Sequence, residues 1–272
     1  MGFFSWLFRK SKPKKIKIGL ALGSGGAKGF AHLGALKAFE ENGIEFDLIA
    51  GTSIGSIVGA FYSAGYSATD IMEILKRIDF SEITNVFMIK MDTSGLFKVI
   101  DREIGTINIE ELKKPFKAVA TELESGKEKV FDSGSVATAL CASSSIPPFF
   151  KPVIIDGVRY IDGAYTNSIP ADLVKEMGAD YVIGIDLSTR DAKPSFLKKF
   201  FPTYKSKVEE PWAKGYQFAD IMLKPDLNGY NATSFWHANE MYDIGYKTAS
   251  DYISKIKNDI DDLRKSHKKS KK

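Results

Sequence analysis

Ser53 is the side chain of this sequence best placed to act as a nucleophile. It lies in the motif Gly51-Thr52-Ser53-Ile54-Gly55, which follows one apolar run and precedes another. A GxSxG motif between a buried strand and an apolar helix is typical of a sharp turn that lifts the serine hydroxyl above the edge of a sheet. The glycines let neighbouring backbone pass close by, and the positive end of the helix points at the serine oxygen. The alternative is a glycine-rich packing turn whose serine has no chemical role.

A serine hydroxyl needs a base that removes its proton before it becomes a good nucleophile. The chain has three histidines. His32 belongs to the first predicted helix and is expected to pack within it, and His237 lies in the polar C-terminal helical region. His267 belongs to a basic tail. A Ser-His-Asp triad through His32 or His237 therefore stays an alternative, but neither residue is a strong candidate.

Asp162 is the carboxylate that the sequence offers as a base instead. It follows the second arm of a predicted hairpin, whose turn is Asp156-Gly157. The turn accounts for Asp156, whereas Asp162-Gly163-Ala164 comes where the second arm ends. A carboxylate there could accept the serine proton directly and return it to a leaving group. The alternative is an ordinary turn or helix-capping aspartate.

A glycine-rich loop, Gly23-Ser24-Gly25-Gly26-Ala27-Lys28-Gly29, separates the first predicted strand from its helix. Backbone N–H groups in such a loop form a cradle for an anion. The cradle could hold nucleotide phosphates or the oxyanion of an acyl-transfer intermediate. The nucleotide interpretation fits poorly, because Lys28 stands where a GxGxxG motif beginning at Gly23 needs its third glycine, and no P-loop spacing is present.

The elements that must position these motifs alternate between strand and helix. Residues 16–23 form an apolar run typical of a buried parallel strand, and apolar residues then recur at helical spacing from Phe30 to Phe39, before Asn42-Gly43 ends the helix. A second strand leads into Ser53, so the two strands should be parallel neighbours. Further strands are predicted at 116–123, 128–134 and 180–188, whereas residues 80–110 receive no assignment. We therefore expect one α/β domain with a mostly parallel central sheet over residues 16–263.

Basic charge is concentrated at the two ends of the 272-residue chain. Residues 9–17 and residues 264–272 each carry six basic side chains and no acid, so the rest of the chain is acidic although the net charge is +4. An acidic body is not expected to bind nucleic acid. The single cysteine, Cys141, excludes an internal disulfide and suits a reducing compartment.

The N-terminal segment, residues 1–15, combines aromatic and basic side chains. Phe3, Phe4, Trp6, Leu7 and Phe8 precede the lysines, an order that does not fit a signal peptide but suits shallow insertion into an anionic lipid surface. Residues 193–207, which interleave aromatic residues with lysines, are a second candidate for membrane contact. We expect a cytoplasmic protein associated peripherally with the inner face of the membrane. The alternatives are that residues 3–8 pack on the body and that the basic ends are solvated tails.

The three motifs together resemble the patatin-like phospholipase family, in its bacterial form. The resemblance rests on the glycine loop Gly25 to Gly29, on the GxSxG motif, and on Asp162-Gly163-Ala164, in that order. The stretches AHLGAL (31–36) and SSSIPPFFKPV (143–153) add to it. The resemblance covers residues 16–190.

This resemblance implies a three-layer α/β/α fold and a Ser-Asp dyad that hydrolyses acyl esters of lipids, including phospholipids, without histidine, metal or cofactor. It makes Ser53 the nucleophile and Asp162 the base. It places the oxyanion hole at the amides of Gly25 and Gly26, with Lys28 supporting the loop. The supporting motif glycines are Gly51, Gly55 and Gly163. Two other functions stay open, namely a regulatory or membrane-scaffolding protein with little turnover and a nucleotide-binding protein.

One residue departs from the family pattern. Ser24 stands where the family usually has the first glycine of its loop. If that position has a positive φ, a serine there would strain the loop.

Overall fold

Eight strands and eight α-helices make up the part of the chain that the computed structural model describes, namely residues 15–77, 93–147, 149–189 and 208–269. The strands are β1 (Ile18–Leu22), β2 (Leu48–Thr52), β3 (Phe116–Glu122), β4 (Glu128–Phe131), β5 (Val153–Ile155), β6 (Val158–Asp162), β7 (Tyr181–Ile185) and β8 (Ile221–Leu223). The helices are α1 (Phe30–Glu41), α2 (Ile54–Ala64), α3 (Ala68–Arg77), α4 (Ser94–Ile104), α5 (Val136–Ser143), α6 (Ala171–Glu176), α7 (Ala213–Phe218) and α8 (Ala238–Lys269).

The strands form one sheet in which successive hydrogen-bonded pairs follow the path β5-β6-β3-β2-β1-β7-β8, and β4 also pairs with β3. Strands β3, β2, β1, β7 and β8 run parallel to one another. The predicted strand–helix–strand unit is present, because β1 pairs in parallel with β2 from Gly19 opposite Leu48 onward. The predicted hairpin is β5 and β6, which pair antiparallel.

Helices cover both faces of the sheet because side chains alternate along its strands. In β1, Leu20 and Leu22 join the larger apolar cluster, which includes side chains of α1, α2 and α8. Ala21 points the other way and joins a smaller cluster with Leu173 and Val174 of α6. The predicted α/β fold, with helices on both faces of a mostly parallel sheet, is confirmed.

The register of β3 brings the end of β2 next to the end of β6. Strand β4 pairs with residues 118–121 of β3 along one edge, so β2 and β6 must share the other edge. Thr52, at the end of β2, lies opposite Val119, and Asp162, at the end of β6, lies opposite the next residue, Ala120. The residue that follows β2 therefore meets the last residue of β6.

The structure describes only part of the predicted terminal segments and of the region that received no assignment. Residues 1–14 and 193–207 lie outside the described residues. Within the unassigned stretch 80–110, the described part contains α4. The boundary predicted between residues 263 and 264 falls inside α8, which continues to Lys269. No helix in the described ranges combines the length and the apolar character that crossing a membrane requires.

Candidate active site

Ser53 occupies a strained turn between β2 and α2. Its backbone dihedrals are φ 57° and ψ −127°, and among the described residues only Asp156 is another non-glycine residue with a positive φ. Such a conformation costs on the order of 1–3 kcal/mol and persists only where the surrounding structure enforces it. The turn between strand and helix is therefore as sharp as the motif predicts.

Close backbone contacts explain the two glycines of the GxSxG motif. A Cβ atom on Gly51 would lie 2.2 Å from the carbonyl oxygen of Gly55, and one on Gly55 would lie 2.2 Å from the carbonyl oxygen of Leu22. These distances are far shorter than a carbon–oxygen contact allows. Any side chain at either position would push the turn away from the strands.

Ser53 and Asp162 are in direct contact. The Ser53 hydroxyl donates to Oδ2 of Asp162 at 2.5 Å. The other carboxylate oxygen of Asp162 accepts from the amide of Ala164 at 2.8 Å. Next to this contact, Gly163 runs so close to β3 that a Cβ atom would lie 2.3 Å from the Val119 carbonyl oxygen. The backbone around Asp162 is thus fixed, and its carboxylate is aimed at the serine.

Burial controls the protonation of Asp162. The residue is only 1% exposed, and burial raises the pKa of its carboxyl group to about 6, while hydrogen bonds from the Ser53 hydroxyl and the Ala164 amide oppose the shift. A base works best when its pKa lies close to the working pH. At neutral pH Asp162 is therefore ionised yet more basic than an exposed aspartate.

The two candidate histidines have other partners. His32 is fully buried, and its Nε2 lies 2.8 Å from the carbonyl oxygen of Gly23. Burial lowers the pKa of His32 to about 4, so the ring is neutral and donates to Gly23 at the start of the glycine loop. His237 pairs with Glu240 on the surface, at 3.0 Å. Among the described residues, no histidine contacts Ser53.

The glycine loop leaves two backbone amides available for a ligand. The amides of Gly23, Ser24, Ala27 and Lys28 all donate to carbonyl oxygens, at 2.9–3.3 Å. Within the described part of the chain, the amides of Gly25 and Gly26 have no protein acceptor. Gly25 precedes and Gly26 begins the short turn Gly26–Gly29, and Gly29 packs against Ile54, the first residue of α2. The free amides therefore lie in a loop that packs against the serine turn.

Ser24 does not strain this loop. Gly26 is the residue with a positive φ, 58°, and Ser24 is absent from the positive-φ residues of the described chain. The Ser24 amide donates to the carbonyl oxygen of Ser168 at 3.0 Å. A serine is therefore accommodated where the family usually has glycine.

A buried carboxylate, Asp186, lies at the carboxyl end of β7 close to Lys28. Burial lowers the pKa of Lys28, and the charge of Asp186 opposes that shift. Burial alone would raise the pKa of Asp186, but hydrogen bonds from Tyr216, from Ser188 and from Lys224 hold it below its usual value. The position of Asp186 at the end of an apolar strand is a signal in the sequence that our prediction of the site did not include.

Two further supports of the serine turn were also missed. The hydroxyl of Thr52 donates to the carbonyl oxygen of Asn167 at 2.8 Å, and the Asn167 side chain donates to Asp172 at 2.8 Å. Lys214 bridges Asp172 and Glu128, at 2.9 Å and 2.7 Å. The second support is Ser143, whose Oγ accepts from the amide of Ser53 at 2.9 Å.

The raised pKa of Asp162 predicts a stability difference that depends on pH. The folded chain holds this proton up to about pH 6, whereas the unfolded chain releases it near 3.8. The wild type therefore loses stability as the pH rises through this window, by at most about 3 kcal/mol at 1.36 kcal/mol per pKa unit. Asp162→Asn removes this titration, so urea unfolding should show the variant gaining stability relative to wild type between pH 4 and pH 7.

The titration of His32 is common to both proteins and cancels in this comparison. A difference in the free energy of unfolding that stays constant from pH 4 to pH 7 would mean that the carboxyl group of Asp162 titrates normally.

The chain is similar in sequence to a known protein family and to several known proteins. A family model described as patatin-like phospholipase matches residues 20–175. In an alignment of 279 positions, the chain is 29% identical to the patatin-like phospholipase domain-containing protein 6 of Mus musculus. The match covers 85% of this chain and 20% of the relative. It is 34% identical over 185 residues to an uncharacterized NTE family protein of Mycobacterium bovis, covering 66% of this chain and 51% of that protein.

The chain thus spans about a fifth to a half of the length of these relatives. Among solved structures, VipD from Legionella pneumophila superposes with a TM-score of 0.53 at 13% identity, covering 89% of this chain and 67% of that one. This last likeness concerns the fold alone. Because the family model spans more than half of the chain and its three motifs converge in the structure, the chain belongs to the patatin-like phospholipase family.

Proposed function

We propose that this chain is a serine acyl hydrolase that cleaves acyl esters of membrane lipids, as a phospholipase A or carboxylesterase, with Ser53 and Asp162 as a catalytic dyad. The observation that carries the proposal is the 2.5 Å hydrogen bond from the Ser53 hydroxyl to Asp162. The family description and the phospholipase name of the Mus musculus relative support the lipid substrate.

In the first half of the reaction, Ser53 attacks the carbonyl carbon of the ester. Its proton passes to Oδ2 of Asp162 as the bond from Oγ to carbon forms. The carbonyl oxygen becomes an oxyanion, which the amides of Gly25 and Gly26 receive. When the intermediate collapses, Asp162 returns the proton to the departing alcohol oxygen, and the acyl group stays on Ser53.

In the second half, water releases the acyl group. Asp162 takes a proton from the water as its oxygen attacks the acyl carbon, and the same two amides hold the second oxyanion. Collapse breaks the bond to Oγ, and Asp162 gives the proton back to Ser53. The fatty acid leaves, and the hydrogen bond between Ser53 and Asp162 forms again.

The oxyanion site contributes through preorganised dipoles. The loss of one donor from such a site costs about 2.7–4 kcal/mol of transition-state stabilisation. The amides of Gly25 and Gly26 keep their positions because the amides on either side are tied to the carbonyl oxygens of Ser168 and Ala232. Lys28 supports this loop from a buried position, at 7% exposure.

Lipid as the substrate also agrees with the distribution of charge. An acidic body with basic ends approaches an anionic bilayer through those ends, at roughly 1 kcal/mol for each lysine near the surface. We therefore include in the proposal a peripheral location at the cytoplasmic face of the membrane, with residues 1–15 as the contact and residues 16–263 as the catalytic domain.

A fluorophosphonate probe tests the nucleophile. Wild-type protein should be labelled covalently at Ser53, because the probe phosphorus takes the place of the ester carbonyl, and Ser53→Ala should abolish labelling. The measurement is peptide mass spectrometry after gel detection of the probe. Ser63→Ala is the matched control, since Ser63 is a buried serine of the neighbouring helix whose hydroxyl has no partner among the described residues. Folded wild-type protein that stays unlabelled at Ser53 would refute the enzyme and favour a regulatory or scaffolding role.

Vesicle binding tests the membrane contact. Deletion of residues 1–12 should weaken co-sedimentation with phosphatidylglycerol-containing vesicles, and high salt should reduce the binding of the full chain, because charge attraction is screened. A second variant keeps the lysines and replaces Phe3, Phe4, Trp6, Leu7 and Phe8 with serine, which isolates the apolar contribution. Binding that is equal for the full chain and the deletion would exclude residues 1–12 as the anchor.

A further inference from the structure

The backbone amides of Ser53 and Asp162 both donate hydrogen bonds to one short stretch, Ser143–Ser145. We call this stretch the serine segment. The Ser143 hydroxyl oxygen accepts from the amide of Ser53 at 2.9 Å. Two residues later, the carbonyl oxygen of Ser145 accepts from the amide of Asp162 at 3.0 Å. Ser53 and Asp162 are 109 residues apart in sequence, so this segment is a common reference point for two distant parts of the chain.

The serine segment is itself rigidly placed. It ends helix α5, which contributes Val136 and Leu140 to the larger apolar cluster. The amide of Ser144 continues the helical pattern by donating to the Leu140 carbonyl oxygen at 3.0 Å. The Ser145 hydroxyl donates to the carbonyl oxygen of Cys141 at 2.7 Å. Ser143 and Ser145 are both fully buried.

The bond from the Ser53 amide to Ser143 acts on the strained residue itself. Ser53 has a positive φ, which is the rotation about its N–Cα bond. Its amide nitrogen, the donor to Ser143, is one end of that bond. In a buried site an amide without an acceptor carries a desolvation penalty. The Ser143 hydroxyl removes this penalty and holds the peptide group between Thr52 and Ser53 in place. Ser143 therefore stabilises the conformation in which the Ser53 hydroxyl reaches Asp162.

We propose that Ser143 is a positioning residue for the dyad, which holds the Ser53 backbone so that Oγ stays within hydrogen-bond reach of Asp162. The proposal rests on the proposed function, because it concerns the efficiency of the same reaction. Ser143 acts through the Ser53 amide and needs no contact with the substrate.

The expected consequence is a loss of rate rather than of substrate binding. A misplacement of about 1 Å at a reacting group can cost about a hundredfold in rate. Ser143→Ala should therefore lower kcat by about ten- to a hundredfold and leave KM nearly unchanged. Ser143→Thr keeps a hydroxyl and should recover most of the loss.

The adjacent residue provides a matched control. The hydroxyl of Ser144 is also buried, but it has no partner among the described residues. Ser144→Ala makes the same chemical change one position away and removes no hydrogen bond of the dyad. It should retain wild-type kcat, whereas Ser143→Ala should not. The assay is hydrolysis of p-nitrophenyl esters, with the second-order rate of fluorophosphonate labelling as an independent measure.

The pH profile separates positioning from general destabilisation. The Ser53 hydroxyl lowers the pKa of Asp162 by donating to it. If Ser143→Ala loosens that bond, the pKa of Asp162 rises, so the acid limb of kcat/KM against pH should move to higher pH. A purely structural defect would reduce the amount of active protein and leave the limb in place.

A measurement on the wild type complements the variants and does not depend on their folding. The Ser53 amide should exchange its hydrogen slowly in NMR, whereas the amides of Gly25 and Gly26, which have no acceptor in the described part of the chain, should exchange faster. Equal exchange of all three amides, or equal kcat for Ser143→Ala and Ser144→Ala, would overturn the role of Ser143 while the proposed function stands. A wild type without labelling at Ser53 would overturn both.

Discussion

The hydrogen bond between the Ser53 hydroxyl and the buried Asp162 is the interaction on which the whole site depends. It exists because β2 and β6 end at consecutive positions along the same edge of β3. Ser53 follows β2, which runs parallel to β3, and so lies at the carboxyl edge of the sheet. Asp162 ends β6, which runs antiparallel to β3, and reaches the same point from the opposite direction. A shift of either strand by one residue would turn its side chains to the other face and separate the pair.

Burial makes the carboxylate of Asp162 more basic and also makes its charged form costly. Asp162 is more basic than an exposed aspartate because water is excluded from it. The same exclusion of water destabilises its charged form, and Ser53 adds backbone strain. Hydrogen bonds that Ser53, Asp162 and Thr52 donate to Ser143, Ser145 and Asn167, respectively, offset these costs. Strained and buried polar residues persist in proteins only where the surrounding structure holds them in place.

The sequence was most informative where the signal is local. The strand–helix–strand unit and the hairpin follow from apolar periodicity and turn residues that lie next to each other in the chain. The pairing of Ser53 with Asp162 is implied by the family resemblance that the three motifs carry, because no local rule specifies the partners of two residues so far apart. The sequence places Ser143 in a longer motif and Asp186 at the end of an apolar strand, but it does not specify their partners, since these contacts arise from packing between distant segments. Helix α4 was also missed, within a region whose pattern favoured neither helix nor strand.

The most direct test of a carboxylate acting without an imidazole is the pH dependence of the rate at which a fluorophosphonate probe labels Ser53. In the wild type, the rate should rise with a single ionisation near pH 6, the pKa to which burial raises Asp162. Asp162→Asn should lose most of this rate while remaining folded, and His237→Gln should match the wild type. Retention of the wild-type rate in Asp162→Asn, together with its loss on replacement of a histidine, would contradict the dyad.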